Sequence, residues 1–324
     1  MRNCTDRLMR SQEKRVVKHP DKWRETIDPF SLTYKSFHPI EILGYPHAGN
    51  DVFHARGIYE DKEVRAYIKV ARQKGAAIEN EVEILSQLHS PIYPTVIDYG
   101  FVRTPFSVTL ELPGERLSVI VGENETLESL SFMEEYGAAL AALHQLRISA
   151  EPVKDRRFFH APSDEFLKTL GLEEGKGFFA NPPKNAVQCF CHGDFHYANI
   201  LWDRHHISGI LDFELAGYGN RDFDIAWALF RRPGQKFMKT EAEQDAFLKG
   251  YQQVAPCDRN AIRYYMAQCY VYFLQFSGDD AEYCDYIHCR SSHEINKIGI
   301  IIVFTLDDYL IIRGDKVAEH IIPS

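Results

Sequence analysis

Between residues 36 and 113 the pattern of apolar and polar positions predicts short strands around one helix. Segments 37–43, 51–58 and 63–70 are rich in β-branched and aromatic residues, and Gly, Pro, Asn and Asp separate them, which predicts three strands. In 63–70 the alternation is strict. Val64, Ala66, Ile68 and Val70 point one way; Arg65, Tyr67 and Lys69 point the other, so Lys69 leaves the core face of its sheet. Residues 76–88 predict a helix whose apolar stripe is Ile78, Val82, Ile84, Leu85 and Leu88. Glu79 and Glu83 fall on its wet face, but Glu81 falls inside the stripe. A carboxylate there needs a cationic partner, and Lys69 on the preceding strand offers one. Two more strands, 95–102 and 107–112, end at Pro113-Gly114.

Beyond residue 113 the periodicity turns helical. Residues 132–146 place Phe132, Tyr136, Leu140, Leu143 and Leu146 among small Ala and Gly, which predicts a close-packed core helix. The Gly- and Pro-rich segment 171–183 predicts a loop, and 241–311 has helical spacing, notably 261–276. Residues 1–35 are polar and basic, with Pro20 and Pro29, and predict an extension over the surface. The expected organisation is that extension, a small β-rich lobe at 36–113 and a larger helical lobe at 114–324, an α+β architecture of two lobes.

Composition narrows the function. The chain has 324 residues, 45 % apolar and 26 % charged, which excludes wholesale disorder. The longest apolar run, 298–304, is under half a membrane span, and the N-terminal segment has no secretory h-region; a cytoplasmic protein with no membrane partner is expected. The net charge of −9 argues against a nucleic-acid partner. It is uneven: residues 241–324 carry seven Lys/Arg against thirteen Asp/Glu, which would suit a cationic small substrate. Seven irregularly spaced cysteines predict reduced thiols rather than a disulfide framework, and Cys284, His288 and Cys289 make only half of a zinc site.

Two stretches concentrate chemistry. In 189–202, CFCHGDFHYANILW, and in 207–217, ISGILDFELAG, short apolar segments deliver His192, Asp194 and Asn199, then Asp212 and Glu214. Carboxylates and an amide on buried anchors are what a Mg²⁺ site needs, because Mg²⁺ takes hard oxygen ligands and shares them with substrate phosphates. Lys69 and Glu81 would complete the electrostatics. A zinc reading of His192 and His196, four apart, is weak, since Gly193 interrupts a helix and no Glu follows the first His.

These residues resemble the aminoglycoside phosphotransferase family, the small-molecule kinases of the protein-kinase-like fold. Its His-x-Asp-x-x-x-x-Asn motif reads here as His192-Gly193-Asp194-Phe195-His196-Tyr197-Ala198-Asn199, and its metal-binding Asp as Asp212, at kinase-like spacing. Tyr67-Ile68-Lys69-Val70 resembles the phosphate-lysine strand, Leu110-Glu111-Leu112-Pro113-Gly114 the adenine-binding hinge, and Arg221-Asp222-Phe223-Asp224 the later buried-aspartate motif. The resemblance covers about residues 36–250. It implies a bilobal kinase-like fold, with Asp194 as catalytic base, His192 ordering the loop by main-chain hydrogen bonds, and Asp224 bracing it. It implies Mg²⁺ held by Asn199 and Asp212. It also implies ATP, or GTP, held by Lys69, Glu81, main-chain groups of Glu111 and Leu112, and a loop with Gly44 and Gly49. That loop is not the protein-kinase Gly-x-Gly-x-x-Gly, and Asp-Phe-Glu stands where protein kinases have Asp-Phe-Gly.

The expected activity is therefore transfer of a γ-phosphate to a hydroxyl of a small molecule, an aminoglycoside-like cation first. Choline, methylthioribose or homoserine are alternative acceptors, and a non-catalytic, spore-coat-like or pseudokinase module is the alternative class. A protein kinase is disfavoured, since the eleven residues between Asp212 and Asp224 leave no room for an activation loop.

Overall fold

The structure, a computed structural model, describes residues 27–274 other than 47–48, 73–74 and 233–234. The cysteine–histidine half-site at 284–289, the run at 298–304, and most of the basic extension lie outside the described residues. The chain packs into two compact units, each discontinuous in sequence.

The first unit takes in described residues up to 121, with 145–153 and 190–218. Its sheet comprises β1 (His38–Gly44), β2 (Asp51–Tyr59), β3 (Lys62–Val70), β4 (Val96–Val102) and β5 (Thr104–Leu110), antiparallel throughout, in the order β1-β2-β3-β5-β4. β3 is central, with Ile68 opposite Phe53 on one side and Val108 on the other. Those residues, with Phe37, Ala55, Ala66, Val70 and Phe106, form a core shut off from water. The expected alternation holds: Ala66, Ile68 and Val70 are buried while Lys69 faces away from them.

The helix after β3, α1 (Ile78–Leu85), is shorter than the periodicity suggests. Ala77 is not helical (φ −112°, ψ 52°), and residues 86–88 close in tight turns, Gln87 N–H on the Ile84 carbonyl and Leu88 N–H on that of Leu85. Glu81 is buried on it, and Glu79 and Glu83 are exposed, as the stripe predicts. A second, three-stranded sheet follows. It consists of β6 (Glu115–Arg116), which leads into the single turn α2 (Leu117–Ile120), and of a hairpin introduced below.

The second unit takes in 122–144, 154–189 and described residues from 219. Its helices are α3 (Met133–His144), preceded by a 3-10 turn at Glu128–Phe132, then α4 (Asp164–Thr169), α5 (Lys176–Phe179), α6 (Arg221–Leu229), α7 (Glu241–Val254) and α8 (Arg259–Leu274). α5 corrects the expected loop at 171–183: Phe178 and Phe179 are buried there, and burying two aromatic rings outweighs the local Gly and Pro signals. α3 and α7 cross with their backbones almost touching. A Cβ at Gly137 would lie 1.9 Å from the Phe247 carbonyl oxygen, and one at Gly250 would lie 1.8 Å from that of Glu134. This is the close packing that the small residues of 132–146 imply.

The packing boundaries differ from a division at residue 113, since 190–218 belongs with the first unit. β7 (Gln188–Cys191) delivers the chain to it just before His192. The hairpin β8 (Ile200–Asp203) and β9 (His206–Ile210) adds to β6, and β10 (Gly217–Asn220) leads out. His205 and His206 are exposed at the hairpin turn. The four described cysteines, Cys189, Cys191, Cys257 and Cys269, are all free thiols. No described helix is long and apolar enough to cross a membrane.

Candidate active site

The first unit brings Lys69, Glu81, Asp212 and Glu214 to one point. Lys69 Nζ lies 3.0 Å from Glu81 Oε2, 2.7 Å from Asp212 Oδ1 and 3.0 Å from Glu214 Oε2. The lysine side chain is only 15 % exposed. Burial works against its charge, but the carboxylates of Glu81, Asp212 and Glu214 outweigh it and hold the ammonium well above the ordinary lysine range. Burial likewise pushes the Glu81 carboxyl up, against the pull of Lys69. Among the described residues one cation thus serves three carboxylates, which leaves the cluster an excess of negative charge.

Backbone contacts fix these side chains. Glu81 Oε1 accepts the Phe213 N–H at 3.1 Å, so the α1 glutamate grips both the lysine and the 212–214 segment. Asp212 itself sits in the left-handed region at φ 66°, a conformation costing about 1 kcal/mol or more for a residue other than Gly, and one that clusters at functional sites. Glu214 sits in the 3-10 turn Phe213–Leu215 and reaches far along the sequence. Its Oε1 accepts the Ala77 N–H at 2.8 Å and its Oε2 the Asn50 side-chain amide at 2.7 Å. These two partners lie 137 and 164 residues away in the sequence.

The 192–199 segment is built on His192. Nε2 bonds the Leu211 carbonyl at 3.0 Å and Nδ1 accepts the Asp194 N–H at 3.3 Å, so the ring spans the two loops. It packs against the rings of Phe195 and Phe213. With both nitrogens engaged, the His192–His196 zinc reading has no ligand atom to use. Gly193 has φ 76°, and a Cβ there would come 2.2 Å from the Leu215 carbonyl oxygen; only glycine lets the two loops lie this close. The Leu211 N–H closes the arrangement by donating to the Asn199 carbonyl at 2.7 Å.

Asp194 is held from within its own loop. The Asn199 amide donates to the Asp194 carbonyl at 3.0 Å and to Oδ2 at 3.4 Å, and His196 Nε2 stands 3.4 Å from that oxygen. His196 Nδ1 in turn accepts the Ala198 N–H. Asn199 is buried with its Nδ2 committed, so Oδ1 is the atom it can offer a metal.

Other expected site residues fare unevenly. The Glu111 N–H is used in the sheet, donating to the Arg65 carbonyl at 3.0 Å, and its carboxylate pairs with His54 at 3.0 Å. Any adenine contact from this segment would therefore fall to the Glu111 carbonyl and the Leu112 amide. Gly49 has φ 100°, the left-handed region that favours glycine, whereas Gly44 ends β1 at an irregularity of the β1–β2 ladder, where a Cβ would meet only His54 Cβ at 3.8 Å. Asp224 lies in the second unit, its Oδ2 3.1 Å from Nε2 of buried His144, whose Nδ1 meets the Tyr251 hydroxyl at 2.7 Å. The sequence reading missed Asn50 and the Ala77 amide; nothing local marks either.

Comparison with known proteins bears on the fold and the family. Solved structures of similar fold include the aminoglycoside phosphotransferase APH(4)-Ia (TM-score 0.52, 14 % identity, 89 % of this chain and 98 % of that one). A thermostable mutant of that protein in ternary complex with ADP and hygromycin B aligns at TM-score 0.54 and 15 % identity, over 89 % of this chain and 98 % of that one. The streptomycin–ATP–APH(2″)-IIa ternary complex aligns at 0.51 and 19 %, over 80 % and 92 %. The fold is thus the protein-kinase-like one. Among curated proteins, an uncharacterized protein of Deinococcus radiodurans is 32 % identical over 99 residues, a match spanning 29 % of this chain and 29 % of that relative. A family model for phosphotransferase enzymes matches residues 49–257, from the Gly49 turn to just past α7, and the chain belongs to that APH phosphotransferase enzyme family.

Proposed function

We propose that the chain is a Mg²⁺- and ATP-dependent phosphotransferase that moves the γ-phosphoryl group to a hydroxyl of a small cationic molecule of the aminoglycoside kind, in the cytoplasm, with GTP as the alternative donor. The observation that carries this reading is the Lys69 cluster: one buried ammonium shared by Glu81, Asp212 and Glu214.

The donor set fits Mg²⁺, because the cluster has more carboxylate than its one cation neutralises and all its free donors are hard oxygens. Asp212 and Asn199 Oδ1 would hold the ion. When bound there, Mg²⁺ would supply positive charge against the negative charge that grows during transfer. Lys69, aimed by Glu81, would hold the α- and β-phosphates. Asp194 would accept a hydrogen bond from the attacking hydroxyl and take its proton, with Asn199 and His196 fixing its carboxylate. The excess of acidic over basic residues in 241–324 supports a cationic acceptor.

A coupled assay of nucleoside diphosphate formation tests this, with Mg²⁺-ATP and Mg²⁺-GTP against aminoglycosides, macrolides, choline, methylthioribose, homoserine and fructosamines. Turnover with aminoglycosides is expected, and Asp194→Ala should lower it by about 10³-fold. Turnover with another acceptor would move the substrate class. Saturable nucleotide binding without turnover on any acceptor would make the chain a binding module. Undiminished turnover in Asp194→Ala would remove Asp194 as base.

A further inference from the structure

Glu214 has more partners than a metal-loop carboxylate requires. Its two oxygens take the Lys69 ammonium at 3.0 Å, the Asn50 amide at 2.7 Å and the Ala77 N–H at 2.8 Å. Asn80 adds a clamp beside it, donating to the Glu214 carbonyl at 3.1 Å and to the Ala216 carbonyl at 3.0 Å. Asn50 is buried, directly follows Gly49 and immediately precedes β2; its Oδ1 receives the Arg72 N–H at 3.3 Å. Behind it, Arg72 pairs with buried Asp51 at 3.1 Å, and the Tyr45 hydroxyl donates to the same carboxylate oxygen. Tyr45 is thus tied to Asp51, and Asn50 to Glu214. All these residues belong to one compact unit.

We propose that Glu214 is a positioning residue for the donor nucleotide. Through Asn50 it fixes the adjoining Gly49 backbone relative to Lys69 and Asp212, so that one side chain couples this turn to the groups that would hold the phosphates. This rests on the phosphotransferase reading. It also gives a reason for Glu where protein kinases have Gly: the third residue of Asp212-Phe213-Glu214 is a fixed strut here and cannot serve as a pivot. The chemistry recognised is that of a nucleoside triphosphate's phosphates.

The test uses the full chain. Mg²⁺-ATP binding by calorimetry, steady-state kinetics and thermal melting are measured for wild type, Asn50→Ala, Glu214→Gln and the double variant. Asn50→Ala should raise the nucleotide KM and Kd by about tenfold, the size of one charge-assisted hydrogen bond, with the acceptor KM unchanged. Glu214→Gln should do likewise. The double variant should be no worse than the poorer single one, because both act through one contact. Asn50→Asp, which sets like charges face to face, should bind nucleotide more weakly than Asn50→Ala, and Asn50→Gln should recover part of the loss.

Unchanged nucleotide KM and Kd in Asn50→Ala, or fully additive losses in the double variant, overturn the proposal while wild-type turnover leaves the phosphotransferase reading intact. A drop in melting temperature with an unchanged nucleotide KM makes the contact merely structural. A wild type that binds no nucleotide overturns both readings.

Discussion

Two buried glutamates, one in each unit, solve the same problem in opposite ways. Glu243, near the start of α7, is fully buried and accepts only hydrogen bonds. Its Oε1 takes the Ser129 hydroxyl at 2.6 Å and the Met238 N–H at 2.7 Å; its Oε2 takes the N–H groups of Lys239 and Thr240 and the Thr240 hydroxyl at 2.9–3.0 Å. This is a capping box extended into the preceding turn, and it leaves the carboxylate saturated. Glu81 instead shares Lys69 with two other carboxylates, and Asp212 is still 40 % exposed. A carboxylate satisfied by fixed dipoles holds structure. Carboxylates that outnumber their cation keep a demand that only an incoming positive charge can meet.

The largest effect that would break this contrast is expected at Lys69. Lys69→Met leaves three carboxylates facing each other, and phosphoryl transfer should fall by about 10³-fold or more. Stability should drop by about 3 kcal/mol in metal-free buffer. Adding Mg²⁺ should then raise the melting temperature of the variant more than that of the wild type, since the ion relieves the repulsion that Lys69 otherwise offsets. Equal shifts would place the metal elsewhere.

Glu243→Gln turns one acceptor into a donor against N–H groups and should cost about 3 kcal/mol in denaturant unfolding. The kcat per folded molecule should stay unchanged, which separates the two glutamates. Next comes Gly193→Ala, which combines a left-handed φ with a clash on the Leu215 carbonyl. It should lose about 2 kcal/mol and slow turnover as well, because the loop it displaces carries Asp194.

The smallest effect concerns Cys269. Burial pushes this thiol up to about 12 from its ordinary 9.0. The folded pKa is the higher one, so the stability linked to this thiol is complete below about pH 9 and fades as pH rises toward 12. At pH 8 an alkylating reagent should leave Cys269 unmodified by peptide mass spectrometry until the chain unfolds; rapid labelling of native protein would show an open core.

Local pattern was enough for the strands, for Lys69 facing off the core and for Glu81 within an apolar stripe, because each depends on residues a few positions apart. The spacing of His192, Asp194, Asn199 and Asp212 marked the segments that the fold brings together. The Glu214–Asn50 link was not legible. It joins residues 164 apart, and an Asn after a Gly reads as a turn signal. The helical turn at Lys176–Phe179 was hidden for a related reason: its two phenylalanines are fixed by tertiary burial against local Gly and Pro.

The most direct measurement is an ATP-binding titration with and without Mg²⁺, on wild type and Asp212→Asn. The carboxylate excess at Lys69 predicts binding that is strongly Mg²⁺-dependent in the wild type, with most of that dependence lost in the variant. ATP binding that ignores Mg²⁺, or a variant whose Mg²⁺ dependence matches the wild type, would contradict a metal–nucleotide site at this cluster.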